Sequence, residues 1–356
     1  MGGVNLEAQW LPGPPVSGMP PVPRTMILPL ARKLTLADPV EQVAADGRRA
    51  VAYAHTSCGG VLVWNSRTRR AARTPRLWCE GDLRQLVLAG SRLAWISGVH
   101  GASGDYSQLA MLRLGARRST PVTATLAGSE GGGDDVGNLT GSGRTIAFTF
   151  YRDPGGRRER RNAWLLVARN GRRCPVSFDQ TTPARLCRRL AAAAGGITTS
   201  VDAGRVLTVA PGGVVRLLST RGRVLRSWRL SRGITYAELG GRTLAAQRGA
   251  SLTAYDAASG AKKHTRLLAA DEGRPPRLLD VQGDLATYVT GGAIHLLRLS
   301  DGRDVALDLP GGAPWLDAQL EPSGLFVTWN QMYHRRPGRM AFVPMRTVIQ
   351  GFELDR

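Results

Sequence analysis

The sequence predicts an all-β protein in which one short unit is repeated around a ring. The barest copy of the unit lies between Gly204 and Leu230, where three β-rich runs are joined by glycine-containing turns. Copies of so short a meander must stack on one another to bury both faces. The chain supplies them, because a glycine followed by an apolar strand returns every 37 to 61 residues. These glycines are Gly47, Gly90, Gly143, Gly204, Gly241, Gly283 and Gly324. The pattern predicts a seven-bladed β-propeller of four-stranded antiparallel blades.

Two regions follow from this repeat. Residues 1–36 are rich in proline and are predicted to form an arm, whereas residues 37–356 hold the propeller. Within the arm, Thr25 to Leu34 is expected to supply the outer strand of the last blade, which closes the ring and covers its terminal edges. Six or eight blades are the alternatives if the long third unit is miscounted. Helix is expected only between Ala184 and Ala194.

The composition is strongly basic. The chain has 48 Lys and Arg against 27 Asp and Glu, a formal net charge of +21. Only Lys33, Lys262 and Lys263 are lysines, which indicates that a GC-rich coding bias accounts for part of the arginine content. The surplus charge still determines which partners approach. No apolar run has the ~20 residues needed to span a bilayer, and the sequence carries no recognisable export signal.

The cysteines form two local pairs. Cys58 and Cys79 lie in the first unit, and Cys174 and Cys187 lie near the end of the third. We expect two disulfides, which would place the protein in the bacterial envelope or outside the cell, with a signal peptide upstream of this sequence. Four reduced thiols in a cytoplasmic protein are the alternative. A zinc site with His55 lacks a fourth nearby ligand.

Two segments carry a family resemblance. Asn138 to Thr149 (NLTGSGRTIAFT) resembles the repeat of TolB-type, WD40-like propellers. Ala254 to His264 (AYDAASGAKKH) resembles the quinoprotein-like repeat, with Ser259 and His264 where that family has Thr and Trp. The resemblance implies propeller architecture and no particular activity. The vicinal cysteines of some quinone-dependent dehydrogenases are absent, so no cofactor is implied.

Insertions into the repeat are expected to gather on one face, the long-loop face, formed by the connections between second and third strands and between blades. These insertions are 97–107, 126–137, 150–162, 180–196 and 331–339. Arginines beside aromatic residues suit carboxylate or phosphate groups, so the insertions supply the predicted binding residues. They are His100, Asp105, Tyr106, Arg152, Asp153, Arg157, Arg158, Arg160, Arg161, His334, Arg335 and Arg336. A solvated loop with no partner is the alternative.

The turns between third and fourth strands are basic in almost every unit and are predicted to ring the opposite face. The residues are Arg67, Arg69, Arg70, Arg117, Arg118, Arg172, Arg173, Arg221, Arg223, Lys262, Lys263 and Arg303. Such a ring would attract anionic polymers, lipid headgroups or nucleic acid. Polar turns that this genome encodes as arginine are the alternative.

No catalytic motif is present: GxSxG, HExxH, a phosphate loop and a dinucleotide fingerprint are all missing. His295 is predicted to be a packed strand residue, and the acidic stretch at Glu130, Asp134 and Asp135 lacks the spacing of a calcium loop. No metal or cofactor is therefore expected. The sequence favours a monomeric, non-catalytic propeller that binds an anionic protein or polymer through its long-loop face. A propeller enzyme that acts on glycans or uses a quinone, and a nucleic-acid-binding propeller, are the alternatives.

Overall fold

A computed structural model describes the chain over most of its repeats. The described residues are 24–26, 32–36, 40–54, 60–74, 82–101, 104–117, 119–127, 135–152, 160–166, 187–190, 195–230, 233–234, 236–271, 275–309, 316–330 and 338–353. Two short strands precede the repeats, β1 (Arg24–Met26) and β2 (Arg32–Thr35).

The remaining strands follow one another as meanders. The first three meanders contain β3 (Val40–Asp46), β4 (Arg49–Ala54), β5 (Leu62–Asn65) and β6 (Ala71–Arg73); β7 (Asp82–Ala89), β8 (Arg92–Gly101), β9 (Gly104–Arg113) and β10 (Thr120–Ala127); β11 (Asp135–Ser142), β12 (Thr145–Arg152), β13 (Arg160–Leu166) and β14 (Cys187–Arg189). The later ones contain β15 (Ile197–Asp202), β16 (Arg205–Ala210), β17 (Val214–Ser219) and β18 (Val224–Arg229); β19 (Tyr236–Gly240), β20 (Thr243–Arg248), β21 (Ser251–Asp256) and β22 (Lys262–Leu267); β23 (Arg277–Gln282), β24 (Leu285–Thr290), β25 (Ala293–Arg298) and β26 (Asp304–Leu307); β27 (Leu316–Glu321), β28 (Gly324–Asn330) and β29 (Gly338–Pro344).

The sheets are all-β blades whose meander strands run antiparallel, as the sequence predicted, but their strand count differs from that prediction. Six sheets have four strands, and the sheet of β23–β26 has a fifth, because β1 adds to β26 in parallel. The predicted seven four-stranded blades are therefore corrected to six of that kind and one of five strands. The reason is that the proline-rich arm pairs with the edge of this sheet as well as with β29.

The chain closes on itself through its two ends. β2 pairs antiparallel with β29, so the sheet of β27–β29 takes its outer strand from the N-terminal arm. The sequence placed this strand between Thr25 and Leu34, and the pairing covers Arg32 to Thr35. The edge of β29 is thereby covered without a further strand from the C-terminus.

The first strands of the meanders lie around a common axis. Each of β3, β7, β11, β15, β19, β23 and β27 contacts the next, and β27 contacts β3. The buried apolar residues lie between neighbouring sheets, so every sheet is stabilised by the two beside it. At the seam where the chain ends meet, the rings of Trp64 and Phe326 pack edge to face with centroids 6.2 Å apart.

One predicted loop is mostly strand, and two others begin and end in strand. The segment 97–107 continues β8 to Gly101 and resumes as β9 at Gly104, so it is an extended hairpin. The segments 126–137 and 150–162 likewise begin and end within strands. Cross-strand backbone hydrogen bonding is satisfied by lengthening both strands of a hairpin together, which explains why the polar, glycine-rich insertion at 97–107 adopts strand structure.

The helix prediction is wrong. Within the stretch expected to be helical, Cys187–Arg189 forms β14, the outer strand of its sheet, and the observed helix is α1 (Met345–Glu353). α1 follows β29 and buries Val348 and Phe352 against the sheets of β23–β26 and β27–β29. Tertiary pairing overrode the alanine-rich helix propensity of the first segment. No helix in the described part of the chain has the length and apolarity needed to cross a bilayer.

Candidate functional site

The antiparallel meanders sort their connections onto two faces. The turns between first and second strands and those between third and fourth strands lie at the same end of every blade; we call this end the turn face. Its described turns are 47–48, 66–70, 90–91, 114–117, 143–144, 203–204, 220–223, 241–242, 257–261, 283–284, 299–303 and 322–323. The face therefore contains the regular turns, whereas the extended hairpins project from the opposite end.

The turns nearest the axis are packed tightly against one another. The Asp46 carboxylate accepts hydrogen bonds from the Gly90 and Gly143 N–H groups, the latter at 3.2 Å, and so joins three sheets. Gly90 has a φ of 61°, and a Cβ on it would lie 2.6 Å from the carbonyl oxygen of Gly143. The position requires glycine for both its conformation and its space. The centre of the turn face is thus a fixed platform.

Exposed cations surround this platform. They lie in the turns and at the adjoining strand ends of five sheets, and their side chains are exposed to solvent. They are Arg48, Arg49, Arg67, Arg69, Arg70, Arg113, Arg117, Arg144, Arg221, Arg223, Arg242, Lys262 and Lys263. The basic ring expected from the third-to-fourth-strand turns is therefore present in its described part except at Arg303, which is half-buried and pairs with Asp301 at 3.4 Å. The first-to-second-strand turns enlarge the ring. Arg118, Arg172 and Arg173 lie outside the described residues.

Most of these cations have no carboxylate partner in the part of the chain that the structure describes. Among the described residues, ion pairs within 4 Å involve Arg242 and Lys263, which share Asp256 at 3.4 Å, and none involves the cations at 48–49, 66–70, 113–117 or 220–223. A set of exposed guanidinium groups without partners produces a positive field that extends for about a Debye length, roughly 8 Å at physiological salt. This arrangement can hold an extended anion without any catalytic group.

The predicted long-loop residues are only partly within the described residues. The β8–β9 pairing places His100 directly opposite Asp105, and Tyr106 opposite Val99. The β12–β13 pairing places Arg152 opposite Arg160, and Arg161 opposite Tyr151. The strand pairing therefore brings predicted binding residues opposite one another in two places, one on each hairpin. Asp153, Arg157, Arg158, His334, Arg335 and Arg336 lie outside the described residues, as do Cys58, Cys79 and Cys174, so the disulfides remain predictions.

A set of acidic and amide side chains around the axis was missed by the sequence reasoning. At the seam between β27 and β3, the Val43, Ala45 and Gly47 N–H groups donate to Asp317 Oδ2, Gln319 Oε1 and Glu321 Oε2 at 3.0, 2.5 and 2.9 Å. The side chains of every second residue of β27 thus accept hydrogen bonds from every second N–H group along β3 and the turn after it. These polar groups join the unpaired inner edges of adjacent sheets.

Burial perturbs these carboxylates. It raises the pKa of Glu321 to about 7, an effect that Asp46 and Asp202 increase and that the Gly47 N–H group opposes. It raises the pKa of Glu238 to about 7 as well, although the hydroxyls of Ser200 and Tyr236 donate to that carboxylate and favour its charged form. Asp280, whose pKa is also raised by burial, accepts from the Leu320 N–H group at 2.7 Å. Each carboxylate is therefore engaged in hydrogen bonds of the scaffold.

The signal for these residues was present in the first strands as alternation of polar and apolar positions. Tyr236 and Glu238 alternate with buried residues in one strand, and Asp317, Gln319 and Glu321 do so in another. Residues two positions apart lie on the same side of a strand, and a search for catalytic motifs does not detect this pattern. No cluster of three or more metal-ligating side chains occurs among the described residues.

His295 is a packed strand residue, as predicted. It is buried in β25, its Nδ1 lies 3.1 Å from Asp304 Oδ1, and its ring stacks on Tyr288 with centroids 4.6 Å apart. The Tyr288 hydroxyl donates to the other oxygen of Asp304 and accepts from the Ala269 N–H group at 3.1 Å. The network is enclosed in the core of one sheet and has no access for a substrate.

Comparison with known proteins supports the fold. No family model matches the chain, and no curated protein matches it. Among solved structures, the β-propeller domain of Cps50 (Swd1) from Myceliophteria thermophila is similar with a TM-score of 0.54 and 15% identity, over 87% of this chain and 99% of that one.

Two further structures are similar at the same level. A chain of the mitotic checkpoint complex has a TM-score of 0.53 and 13% identity, over 96% of this chain and 99% of that one. The WD40 repeats of RRP9 have a TM-score of 0.50 and 10% identity, over 90% of this chain and 100% of that one. At such identities the likeness shows a β-propeller fold and nothing about activity.

Proposed function

We propose that this chain is a non-catalytic interaction propeller that binds an anionic protein or polymer through its turn face. The observation that carries the proposal is the ring of exposed arginines and lysines around a platform of tightly packed turns; most of these cations form no ion pair with another described residue. An extended anion that contacts several of them releases counterions, which supplies affinity without base- or sugar-specific contacts. The rigid scaffold keeps the cations in place, so little order has to be created on binding.

Charge reversal within a single blade tests the proposal. Arg221 and Arg223 flank the turn before β18 on the turn face, whereas Arg229 lies at the other end of that strand and Arg248 at the same opposite end of β20. All four side chains are exposed. We expect R221E/R223E to weaken binding to heparin and to a duplex DNA and to reduce the salt slope by about two, because two phosphate-type contacts are lost. R229E/R248E carries the same change in net charge and serves as the control.

The outcomes separate the possible surfaces. Equal losses in the two variants would mean that only the net charge attracts polyanions, and the turn face would then not be a binding surface. Binding of DNA without heparin would favour the nucleic-acid alternative. Unchanged binding by R221E/R223E would transfer the proposal to the long-loop face.

We propose the long-loop face as the alternative binding surface for the same class of partner, if the turn face does not bind it. What supports it is the pairing register of the two hairpins, which brings His100 opposite Asp105 and Arg152 opposite Arg160. Two like charges at directly opposed positions are unfavourable without an anion nearby. Reversing Arg157, Arg158, Arg160 and Arg161 to Glu is expected to abolish capture of such a partner in a pull-down. Capture at the wild-type level would remove this face.

The cellular location of the protein is a separate proposal. We propose an oxidising location, the bacterial envelope or exterior, on the two local cysteine pairs alone. Counting free thiols on native protein tests it, since two disulfides leave none. Four free thiols would place the protein in a reducing compartment and would leave the turn-face proposal unaffected.

A further inference from the structure

A cavity of about 220 Å³ lies on the turn face at the seam between the sheet of β19–β22 and the sheet of β23–β26. Basic side chains line it on one side, and residues of the neighbouring blade complete it. The lining includes Arg242, Lys263, His264, Gly283, Asp284 and Leu299. Three basic side chains, those of Arg242, Lys263 and His264, line one concave space here.

The two cations of the cavity are only partly neutralised. Arg242 and Lys263 both approach the same Oδ2 atom of Asp256 at 3.4 Å, which is longer than the roughly 2.7–2.9 Å of a strong charge-assisted hydrogen bond. Their side chains are 79% and 39% exposed. The other oxygen of Asp256 accepts from the Ala258 and Ser259 N–H groups at 3.0 and 2.7 Å. One carboxylate, held by its turn, therefore serves two cations that retain free donors.

The remaining charges leave a positive excess. Asp284 accepts from the Ser300 hydroxyl. The hydrogen bond to Asp301 and the charge of Asp301 raise the pKa of Arg298, and the charge of Asp284 adds to this effect. Arg266 donates to the carbonyl oxygens of Leu299 at 2.8 Å and Ser300 at 2.5 Å and has no carboxylate partner in the described residues. Its charge lies behind the wall of the cavity formed by Leu299. Arg242, Lys263 and Arg266 thus outnumber the carboxylates of Asp256 and Asp284 around the cavity.

The seam between the sheets of β15–β18 and β19–β22 shows why the cavity exists. There, Arg226 donates to the Ser259 carbonyl oxygen at 2.7 Å, and Trp228 lies against Gly260, where an added Cβ would be 3.0 Å from its Nε1. In the sheet of β19–β22, His264 and Arg266 occupy the positions that Arg226 and Trp228 occupy in the sheet of β15–β18. Trp228 pairs with the second residue of β17, and Arg266 pairs with the second residue of β21. A shorter imidazole thus replaces a long guanidinium at one position. At the second position an arginine, Arg266, replaces the tryptophan, and its guanidinium donates to the carbonyl oxygens of Leu299 and Ser300.

We propose that this cavity is a binding site for a single small oxyanion, namely free phosphate or a soluble phosphomonoester. The chemistry that recognises it is a lysine ammonium and an arginine guanidinium on one side, with the imidazole of His264 completing the set of donors. The volume admits one tetrahedral oxyanion with its first waters and excludes a folded polymer segment. The site does not require the turn face to bind a polymer.

Titration of inorganic phosphate into the full chain tests the proposal, with heat or ³¹P chemical shift as the readout and chloride used to hold the ionic strength constant. We expect saturable binding at one site. K263Q and R242Q are each expected to weaken it about tenfold or more, since each removes a charge-assisted hydrogen bond. K262Q is the matched control: Lys262 is adjacent in sequence and exposed, but it does not line the cavity. Its affinity is expected to stay within about twofold of wild type.

Three results would overturn the proposal: no saturable binding by wild type, an equal loss in K262Q and K263Q, or full retention of binding in both cavity variants. Because Lys263 also contacts Asp256, H264Q provides a variant that leaves the ion pair intact, and it is expected to weaken phosphate binding measurably. Heparin binding by K263Q is expected to fall no further than that by K262Q. A joint loss of heparin and phosphate binding would contradict a separate site.

Discussion

Glu321 combines two roles that oppose each other energetically. Its carboxylate accepts the Gly47 N–H bond that joins the last sheet to the first, yet burial raises its pKa to about 7. In the unfolded chain a glutamate has a pKa of about 4.3, so the folded protein binds a proton here that the unfolded chain has released. The stabilisation from this proton is fully present below the unfolded pKa and is lost as the pH rises through 7. Residues of this kind make the axis of the ring sensitive to pH.

The free energy of unfolding is therefore expected to fall between pH 6 and pH 8. Glu321 contributes about 1 kcal/mol to that fall, because a pKa difference of one unit corresponds to about 1.4 kcal/mol and its titration is centred within this window. Urea unfolding at the two pH values measures it, and E321Q is expected to show a smaller fall than wild type. D308N, at an exposed aspartate, controls for surface charge. A wild-type slope in E321Q would mean that this carboxylate is already charged at pH 6.

Two glycines of the axis make a matched pair for a second prediction. A Cβ on Gly240 would lie 1.7 Å from the carbonyl oxygen of Val281, whereas one on Gly283 would meet nothing within 4 Å. We expect G240A to cost more than about 3 kcal/mol, because two backbones must separate along a seam. G283A is expected to cost about 1 kcal/mol, from its φ of 61° alone. Denaturant unfolding compares them, and a G283A that is destabilised as much as G240A would contradict the packing of the seam.

At the scale of the element, the sequence predicted turns well and the lengths of strands poorly. A glycine such as Gly47 or Gly90 begins its turn with a positive φ, so a local conformational need could be read from the residue itself. The extension of β8 and β9 through His100 and Asp105 could not, since it depends on cross-strand pairing of residues with low strand propensity. For the same reason α1 was missed: its buried face becomes apparent only once the neighbouring sheets are in place.

The closing strand is the element whose removal is most informative. A chain that begins at residue 31 keeps β2 and loses β1, whereas one that begins at residue 37 loses both. We expect the shorter chain to unfold at a markedly lower temperature and to aggregate as its concentration rises, because the edge of β29 is left unpaired. The longer chain is expected to stay close to the full chain. Thermal unfolding with light scattering measures both, and equal behaviour of the two truncations would show that β2 does not stabilise the ring.

At the scale of the whole molecule, the charge predicted from composition is divided by the fold. The carboxylates of Glu238, Asp280 and Glu321 lie around the axis, where they accept hydrogen bonds, whereas many exposed arginines lie in the turns. The composition predicts the net charge of +21, but the arrangement of the sheets determines where the carboxylates and the arginines lie. The basic turns were therefore predictable as a ring, whereas the phosphate-sized cavity beside Lys263 was not, since it needs two blades in contact.

The most direct measurement of the turn-face proposal is hydrogen–deuterium exchange of the full chain with and without a heparin fragment. The account predicts slower exchange in the turns at 66–70, 114–117, 220–223 and 257–261, with the connections at the opposite ends of the same blades unchanged. Binding that slows exchange only in the β8–β9 and β12–β13 hairpins, or nowhere in the turns, would contradict it.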